Sequence, residues 1–124
     1  MAVLGIGGFF FRARDPAALK AWYRHRLGVG GGCGVGPNGQ PDEWAWFHEG
    51  GPMVFEPFKA ETDYFPADLS AMISLRVSGL DALVASLRAA GEEVTREEAI
   101  DGVGRFAPVH DPEGNPIELW EPQG

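Results

Sequence analysis

The hydrophobic and polar positions of this chain follow the same order twice: an alternating strand, then a helical stripe, then a glycine. The first copy spans residues 9–28, FFFRARDPAALKAWYRHRLG, and the second spans residues 73–91, ISLRVSGLDALVASLRAAG. Successive side chains of a strand point to opposite faces of its sheet. The predicted strand faces turned away from the helices therefore carry these side chains: Phe10, Arg12, Met72, Ser74 and Arg76.

Both predicted helices have start and stop signals. Asp15 is a suitable N-cap with Pro16 at the first helical position, and Gly28 ends the first helix. The second helix is predicted to begin at residue 78 or 79 and to end at Gly91. Each helix has an apolar stripe at the spacing of 3.6 residues per turn, so each is expected to cover one face of a sheet.

Short strands separated by turns follow each helix. The turns are Gly50-Gly51 in the first half and the DPEGN segment, residues 111–115, in the second. The strands predicted between and around them cover residues 44–49, 52–58, 92–97, 105–110 and 116–121. The pattern predicts an α+β fold of two β-α-β-β-β modules within a single domain spanning residues 1–124. Module 1 covers about residues 1–60 and module 2 about residues 71–124, joined by a linker at about residues 59–70.

Length and charge limit the classes of function. The 124 residues are 44% hydrophobic, enough for one domain with a core. The formal net charge of −8, from 18 acidic and 10 basic residues, argues against a nucleic-acid partner and against an anionic membrane surface. The single cysteine, Cys33, excludes an intramolecular disulfide, and we expect a cytoplasmic protein because no secretion signal or transmembrane segment is recognisable.

Two motifs identify a family resemblance. DPAALKAWYRHRLG at residues 15–28 and GRFAPVHDPEGNPIELWEP at residues 104–122, together with the repeated module, resemble the vicinal oxygen chelate superfamily. That superfamily includes glyoxalase I, bleomycin resistance proteins and extradiol dioxygenases. The resemblance implies a curved mixed sheet that forms a cup, with helices outside. It also implies pairing of two modules within one chain or across a homodimer.

The resemblance also implies where metal ligands would lie. In the metal-dependent members they come from the first and last strands of each module, positions that correspond here to Gly8, Met72 and Glu118. The fourth position is Met53 or, with a shifted alignment, Glu56. Since Gly and Met are not usual ligands of such divalent ions, we expect no firmly bound metal, and any metal would use Glu118 and Glu56.

Glu118 is the candidate catalytic residue because it lies in a strand whose neighbours are apolar. By parity it shares a face with Trp120 and, in the paired modules, with Arg12 and Arg76. We expect it to orient a small, partly aromatic ligand, with or without an acidic group, or to act as a general base. The structural alternative is an ion pair between Arg76 and Glu118. The predicted cup walls are Phe10, Met53, Phe55, Met72 and Trp120.

Trp46 and His48 alternate with Trp44 on one predicted strand face. They are candidate ligand-stacking residues, or alternatively part of the core or of a dimer interface. The whole pattern predicts a homodimeric glyoxalase-like protein that binds or transforms a small organic molecule. The alternatives are a metal-dependent lyase, isomerase or dioxygenase and a non-catalytic protein that sequesters a drug.

Overall fold

Two helices and four strands make up the regular structure of the described residues. The computed structural model describes residues 6–51, 53–54 and 56–123. None of the helices in this part of the chain is long and apolar enough to cross a bilayer. The elements are α1 (Pro16–Leu27), β1 (Ile73–Arg76), α2 (Leu80–Ala89), β2 (Glu98–Ile100), β3 (Gly104–His110) and β4 (Pro116–Pro122).

The four strands form one mixed sheet in the order β1-β4-β3-β2. β1 runs parallel to β4, and the other two pairs are antiparallel. With α2 they follow the order β-α-β-β-β, which is the order predicted for module 2. The parallel pair is possible because α2 and the two strands after it connect β1 to β4. The fold class is therefore α+β with one open sheet.

Module 1 does not repeat this arrangement within the described residues. Its helix α1 is present, but the predicted strands at residues 9–13 and 44–49 are not formed, and only isolated bridges such as Gly34 to Phe47 occur. The segment that bridges to Phe47 has positive φ angles at Gly30, Gly32 and Gly34, which take its backbone out of the strand region. Residues 53–54 and 56–58 are likewise not in strands. The two-module cup therefore stays a prediction.

The strand predicted at residues 92–97 lies later, at Glu98–Ile100. The reason is that Val94 is buried in the core and its carbonyl oxygen accepts a hydrogen bond from the Arg88 guanidinium at 2.6 Å. Glu92 is also engaged, because its carboxylate accepts the indole N–H of Trp22 at 2.9 Å. These contacts hold the segment after α2 against the helices rather than in the sheet.

The core lies between the helices and one face of the sheet. Burial alternates along β4. Ile117 and Leu119 are almost fully buried, whereas Glu118 and Trp120, which point to the other face, are half-buried. Both helices thus pack on the same side of the sheet, and neither helix of the described residues covers the opposite side. The buried apolar residues are Leu19, Trp22, Tyr23, Leu75, Leu80, Val84, Leu87, Val94, Ala107, Val109, Ile117 and Leu119.

The DPEGN turn fastens α1 to the sheet. The Asp111 carboxylate is only 4% exposed and accepts the Tyr23 hydroxyl at 2.8 Å and the Glu113 and Asn115 backbone N–H groups at 2.8 and 3.0 Å. It also accepts the Asn115 side-chain amide at 2.7 Å. Burial, followed by the hydrogen bond to and the charge of Asp111, raises the pKa of the Tyr23 phenol well above its ordinary value.

Candidate functional site

The face of the sheet turned away from the helices carries the candidate chemistry. In the strand register, Glu118 lies between Ser74 and Pro108, and Trp120 lies between Arg76 and Phe106. Side chains that are directly opposite on neighbouring strands point to the same face. We call this surface the open face, and we define it by the residues Ser74, Arg76, Glu98, Phe106, Pro108, Glu118 and Trp120.

Glu118 has a defined partner on the open face. The Tyr64 hydroxyl donates a hydrogen bond of 2.8 Å to Glu118 Oε1. The pKa of the Tyr64 phenol is raised well above its ordinary value. Burial is the largest cause, followed by the hydrogen bond to Glu118 and by the negative charge of Glu118. The phenol therefore keeps its proton at neutral pH and acts as the donor.

Tyr64 belongs to an aromatic cluster in the linker. Its ring stacks on Phe58 with centroids 5.7 Å apart and planes 25° apart, and Phe58 also packs edge-on against Phe65. Tyr64, Phe106 and Pro108 line a small cavity of about 10 Å³. The linker is thus folded over part of the open face.

Two parallel aromatic rings lie on the same face. Phe106 and Trp120 are a cross-strand pair, with ring centroids 6.1 Å apart and planes only 6° from parallel. The Trp120 indole N–H donates to the Val103 carbonyl at 3.1 Å, which fixes the ring orientation. Trp120 therefore presents a fixed ring near Glu118, which precedes it by two residues on the same strand face.

Arg76 contacts the segment at residues 49–51, where the predicted turn is not formed. Its Nη2 atom donates to the carbonyl oxygens of Glu49 and Gly50 at 3.1 and 3.0 Å. The guanidinium lies close to Gly51, whose backbone φ of 152° favours glycine. These contacts attach residues 49–51 to the edge of the open face. The hydrogen-bond partner of Glu118 is Tyr64, rather than the guanidinium considered in the ion-pair alternative.

The remaining predicted site residues are exposed, half-buried or outside the described residues. Phe10 is 93% exposed, and Arg12, Met53 and Glu56 are exposed as well. Met72 is half-buried directly before β1. Phe55 lies outside the described residues.

Trp46 and His48 line a second feature, which we call the module 1 groove. It is an open groove of about 630 Å³ formed by residues 34–37 and 46–49. The two rings are tilted against each other with centroids 5.3 Å apart, and the imidazole Nδ1 lies 3.4 Å from the Glu49 carbonyl oxygen. The groove and the space below Tyr64 have no lining residue in common.

Few of the positions that align with metal ligands of the superfamily carry a donor that a divalent ion prefers. No group of three or more His, Cys, Asp or Glu side chains in this part of the chain is arranged to hold a metal ion. Glu118 accepts a hydrogen bond from Tyr64, and the aligned positions Gly8 and Met72 offer no hard donor.

Sequence reasoning missed Tyr64. Tyr64 lies in the mixed-charge linker, and its partner Glu118 follows 54 positions later in the chain. Hydrophobic periodicity gives no signal for such a distant contact. Phe106 could have been placed, since strand parity puts it opposite Trp120.

Comparison with known proteins supports the fold. The structure of TnmS3, an antibiotic binding protein from Streptomyces sp. CB03234, is similar with a TM-score of 0.60, 23% identity and 99% of both chains covered. A glyoxylase/bleomycin resistance protein/dioxygenase domain from Frankia sp. EAN1pec has a TM-score of 0.57 and 19% identity over 98% of this chain and 100% of the other. At these identities the likeness is one of fold.

A third match, to a glyoxalase family protein from Enterococcus faecalis, has 26% identity but spans only 52% of each chain, with a TM-score of 0.40 that supports no inference. The search of curated proteins gave no match. The sequence profile of the glyoxalase-like domain matches residues 8–120, nearly the whole chain. The chain therefore belongs to the glyoxalase-like domain family of the vicinal oxygen chelate superfamily.

Proposed function

We propose that this protein binds a small, planar organic molecule on the open face, without a firmly bound metal. Glu118 is the polar contact, and Phe106 and Trp120 supply the flat apolar surface. The observation that carries the proposal is the hydrogen bond between Glu118 and the Tyr64 hydroxyl, next to the aligned Phe106 and Trp120 rings. A half-buried carboxylate that is held by an aromatic hydroxyl can exchange this donor for a donor of a ligand.

The composition of the open face supports binding. Small-molecule sites are mostly apolar and contain a few convergent polar groups. Here Phe106, Pro108 and Trp120 lie beside the carboxylates of Glu118 and Glu98. Hydrogen bonds to an ionised acceptor are about twice as strong as neutral ones, so a single donor on the ligand suffices to orient it.

Fold similarity is consistent with this use. TnmS3 is described as an antibiotic binding protein and aligns with this chain over almost its whole length. Binding of an organic molecule is therefore one use of this architecture, although fold alone does not determine function. The proposal takes the binding role, and not the identity of the antibiotic, from that comparison.

A homodimer in the cytoplasm is part of the proposal. Phe10, Met53 and Val54 are 93%, 64% and 65% exposed in the isolated chain, and a second copy of the chain could cover them. Pairing of two chains would also bring the module 1 residues of one copy to the cup of the other. Sedimentation velocity should give the mass of a dimer, and a monomer at all concentrations would contradict this part.

Calorimetric titration of the chelator-treated protein with 2-naphthol and 2-methoxynaphthalene tests the proposal. We expect saturable binding of at least one probe, weakened about tenfold in Trp120→Ala, since loss of an aromatic pair costs about 0.5–1.5 kcal/mol beyond the apolar area that it buries. Trp44→Ala is the matched control, because Trp44 is 82% exposed and does not belong to the open face. Absence of binding of both probes, or equal loss in the two variants, would contradict the proposal.

Titration of the same protein with zinc, nickel, manganese and iron(II) tests the metal part. We expect no tight stoichiometric binding to the wild-type protein. Tight binding of one ion that is lost in Glu118→Ala would restore the metal-dependent lyase, isomerase or dioxygenase alternative.

A metal-independent lyase or isomerase is the second candidate function. Glu118 Oε2 accepts no hydrogen bond from the described residues, so it could receive a proton from a bound substrate. Glu118→Gln would then abolish turnover and leave substrate binding measurable, whereas a binding protein would show no turnover in either form.

A further inference from the structure

Tyr64 indicates the class of ligand that the open face accepts. We propose that the ligands are phenols and that the Tyr64 side chain occupies the position that the phenol ring of a ligand takes on binding. This inference rests on the proposed function and specifies its ligand.

The first argument is the geometry of Tyr64 itself. Its side chain is a para-substituted phenol whose hydroxyl donates to Glu118 Oε1 at 2.8 Å. Its ring stacks on Phe58, and its side chain lines a small cavity together with Phe106 and Pro108. The site therefore already accommodates a phenol, with the ring against apolar groups and the hydroxyl on the carboxylate.

The second argument is the polarity of Glu118. An ionised carboxylate only accepts hydrogen bonds, so it selects groups that donate and repels ligand anions. A phenol combines a donor with a planar ring that can stack on aromatic residues. The need for a donor disfavours a ligand with an acidic group, which Arg12 and Arg76 on the predicted cup face suggest. Arg76 instead donates to the carbonyl oxygens of Glu49 and Gly50.

The third argument is the shortage of space. Only about 10 Å³ remains between Tyr64, Arg96, Glu98, Phe106 and Pro108, which is hardly room for one water molecule. A ligand that reaches Glu118 from this side must therefore displace the Tyr64 ring. Tyr64 lies in a segment without a helix or strand, where such a movement leaves the sheet intact.

Competition between Tyr64 and a ligand gives a quantitative test. We would measure dissociation constants of 2-naphthol and of its methyl ether, 2-methoxynaphthalene, which differ in the hydroxyl donor. The proteins are the wild type, Tyr64→Ala, Tyr64→Phe and the double variant Tyr64→Ala/Glu118→Gln. Glu93→Gln is the control for loss of an acidic side chain, because Glu93 is exposed and lies before β2 rather than on the open face.

We expect Tyr64→Ala to bind 2-naphthol about tenfold more tightly than the wild type, because no internal hydroxyl competes for Glu118. In Tyr64→Ala, 2-naphthol should bind about tenfold more tightly than the methyl ether, and this preference should shrink in the double variant, because the neutral amide introduced by Glu118→Gln is a weaker acceptor than a carboxylate. Tyr64→Phe retains the ring but releases the carboxylate, so it should also bind 2-naphthol more tightly. Glu93→Gln should behave as the wild type.

Equal affinities of 2-naphthol and its methyl ether in Tyr64→Ala would overturn the phenol proposal, while binding of both would leave the proposed function intact. If neither probe binds any variant, both proposals fail. If Tyr64→Ala does not fold, Tyr64→Phe decides the question: tighter binding of 2-naphthol supports the proposal, and unchanged or weaker binding overturns it.

Discussion

Both tyrosines of this chain donate their hydroxyl groups to carboxylates, yet the two pairs have different roles. Asp111 accepts the hydroxyl of Tyr23 together with bonds from the turn that it begins, and it is almost fully buried. Glu118 accepts the hydroxyl of Tyr64 on a half-buried face. The Asp111 pair therefore stabilises the fold, whereas the proposed function requires the Glu118 pair to open for a ligand.

The first prediction compares these carboxylates. Asp111→Ala should lower the free energy of unfolding by about 3 kcal/mol, since it leaves a buried hydroxyl and turn N–H groups without an acceptor. Glu118→Ala should lower it by about 1 kcal/mol, the usual net value of one hydrogen bond. Urea denaturation of both variants measures the difference. Equal losses would contradict the assignment of Asp111 to stability and of Glu118 to binding.

The second prediction concerns alkaline pH. Burial raises the pKa of Tyr23 and of Tyr64 above the unfolded value of about 10. Above that pH the unfolded chain loses these protons while the folded chain keeps them, so stability is full below about pH 10 and falls as the pH rises further. The absorbance of tyrosinate should therefore appear together with loss of the circular dichroism of the folded state. Tyrosinate absorbance in the folded protein near pH 10 would contradict the raised pKa values of Tyr23 and Tyr64.

At the scale of elements, the helices were predictable because their signals are local. The N-cap Asp15, the proline at N1 and the stop at Gly28 are found as predicted, and Gly28 has the left-handed φ of 68° that the stop requires. α2 starts after Gly79, one of the two predicted positions. The DPEGN turn also forms, with a positive φ at Gly114.

The strands of module 1 were not predictable in the same way. Alternation of apolar and polar residues specifies which side chains would share a face, but it does not supply a neighbouring strand. Gly30, Gly32 and Gly34 adopt positive φ angles, so their segment does not form one. The contacts of α1 with Asp111 and Glu113 depend on chain segments almost a hundred residues apart. Such tertiary contacts leave no periodic signal in the sequence.

Glutamates bind the N-termini of both helices, which gives the third prediction. Glu113 accepts the Arg14 and Asp15 N–H groups, and Glu121 Oε2 accepts the N–H groups of Gly79 and Leu80 at 2.7 and 3.3 Å. Glu121→Ala should therefore destabilise the protein by about 1 kcal/mol through loss of a cap at α2.

Glu93→Ala is the matched control for this variant, since Glu93 is exposed and follows α2. Thermal unfolding of both variants measures the effect. If the control loses as much stability as Glu121→Ala, the loss comes from the change of net charge and the capping role of Glu121 is wrong.

For the whole molecule, the sheet and helices form a scaffold with one covered face and one open face. The sequence predicted that Glu118, Trp120 and Arg76 share a face, and the register of β1 and β4 places them on one side of the sheet. It did not predict that the linker residue Tyr64 lies over that face, because the position of a linker follows from tertiary packing. The chemistry of Glu118 therefore depends on a residue outside both predicted modules.

Mapping of ligand-induced chemical-shift changes tests the central claim most directly. A ¹⁵N-labelled protein would be titrated with 2-naphthol, and the amide signals and the Trp120 indole signal would be followed. Binding on the open face predicts changes centred on Ser74, Phe106, Glu118 and Trp120. Changes confined to residues 34–37 and 46–49 would place the ligand in the module 1 groove and contradict the claim.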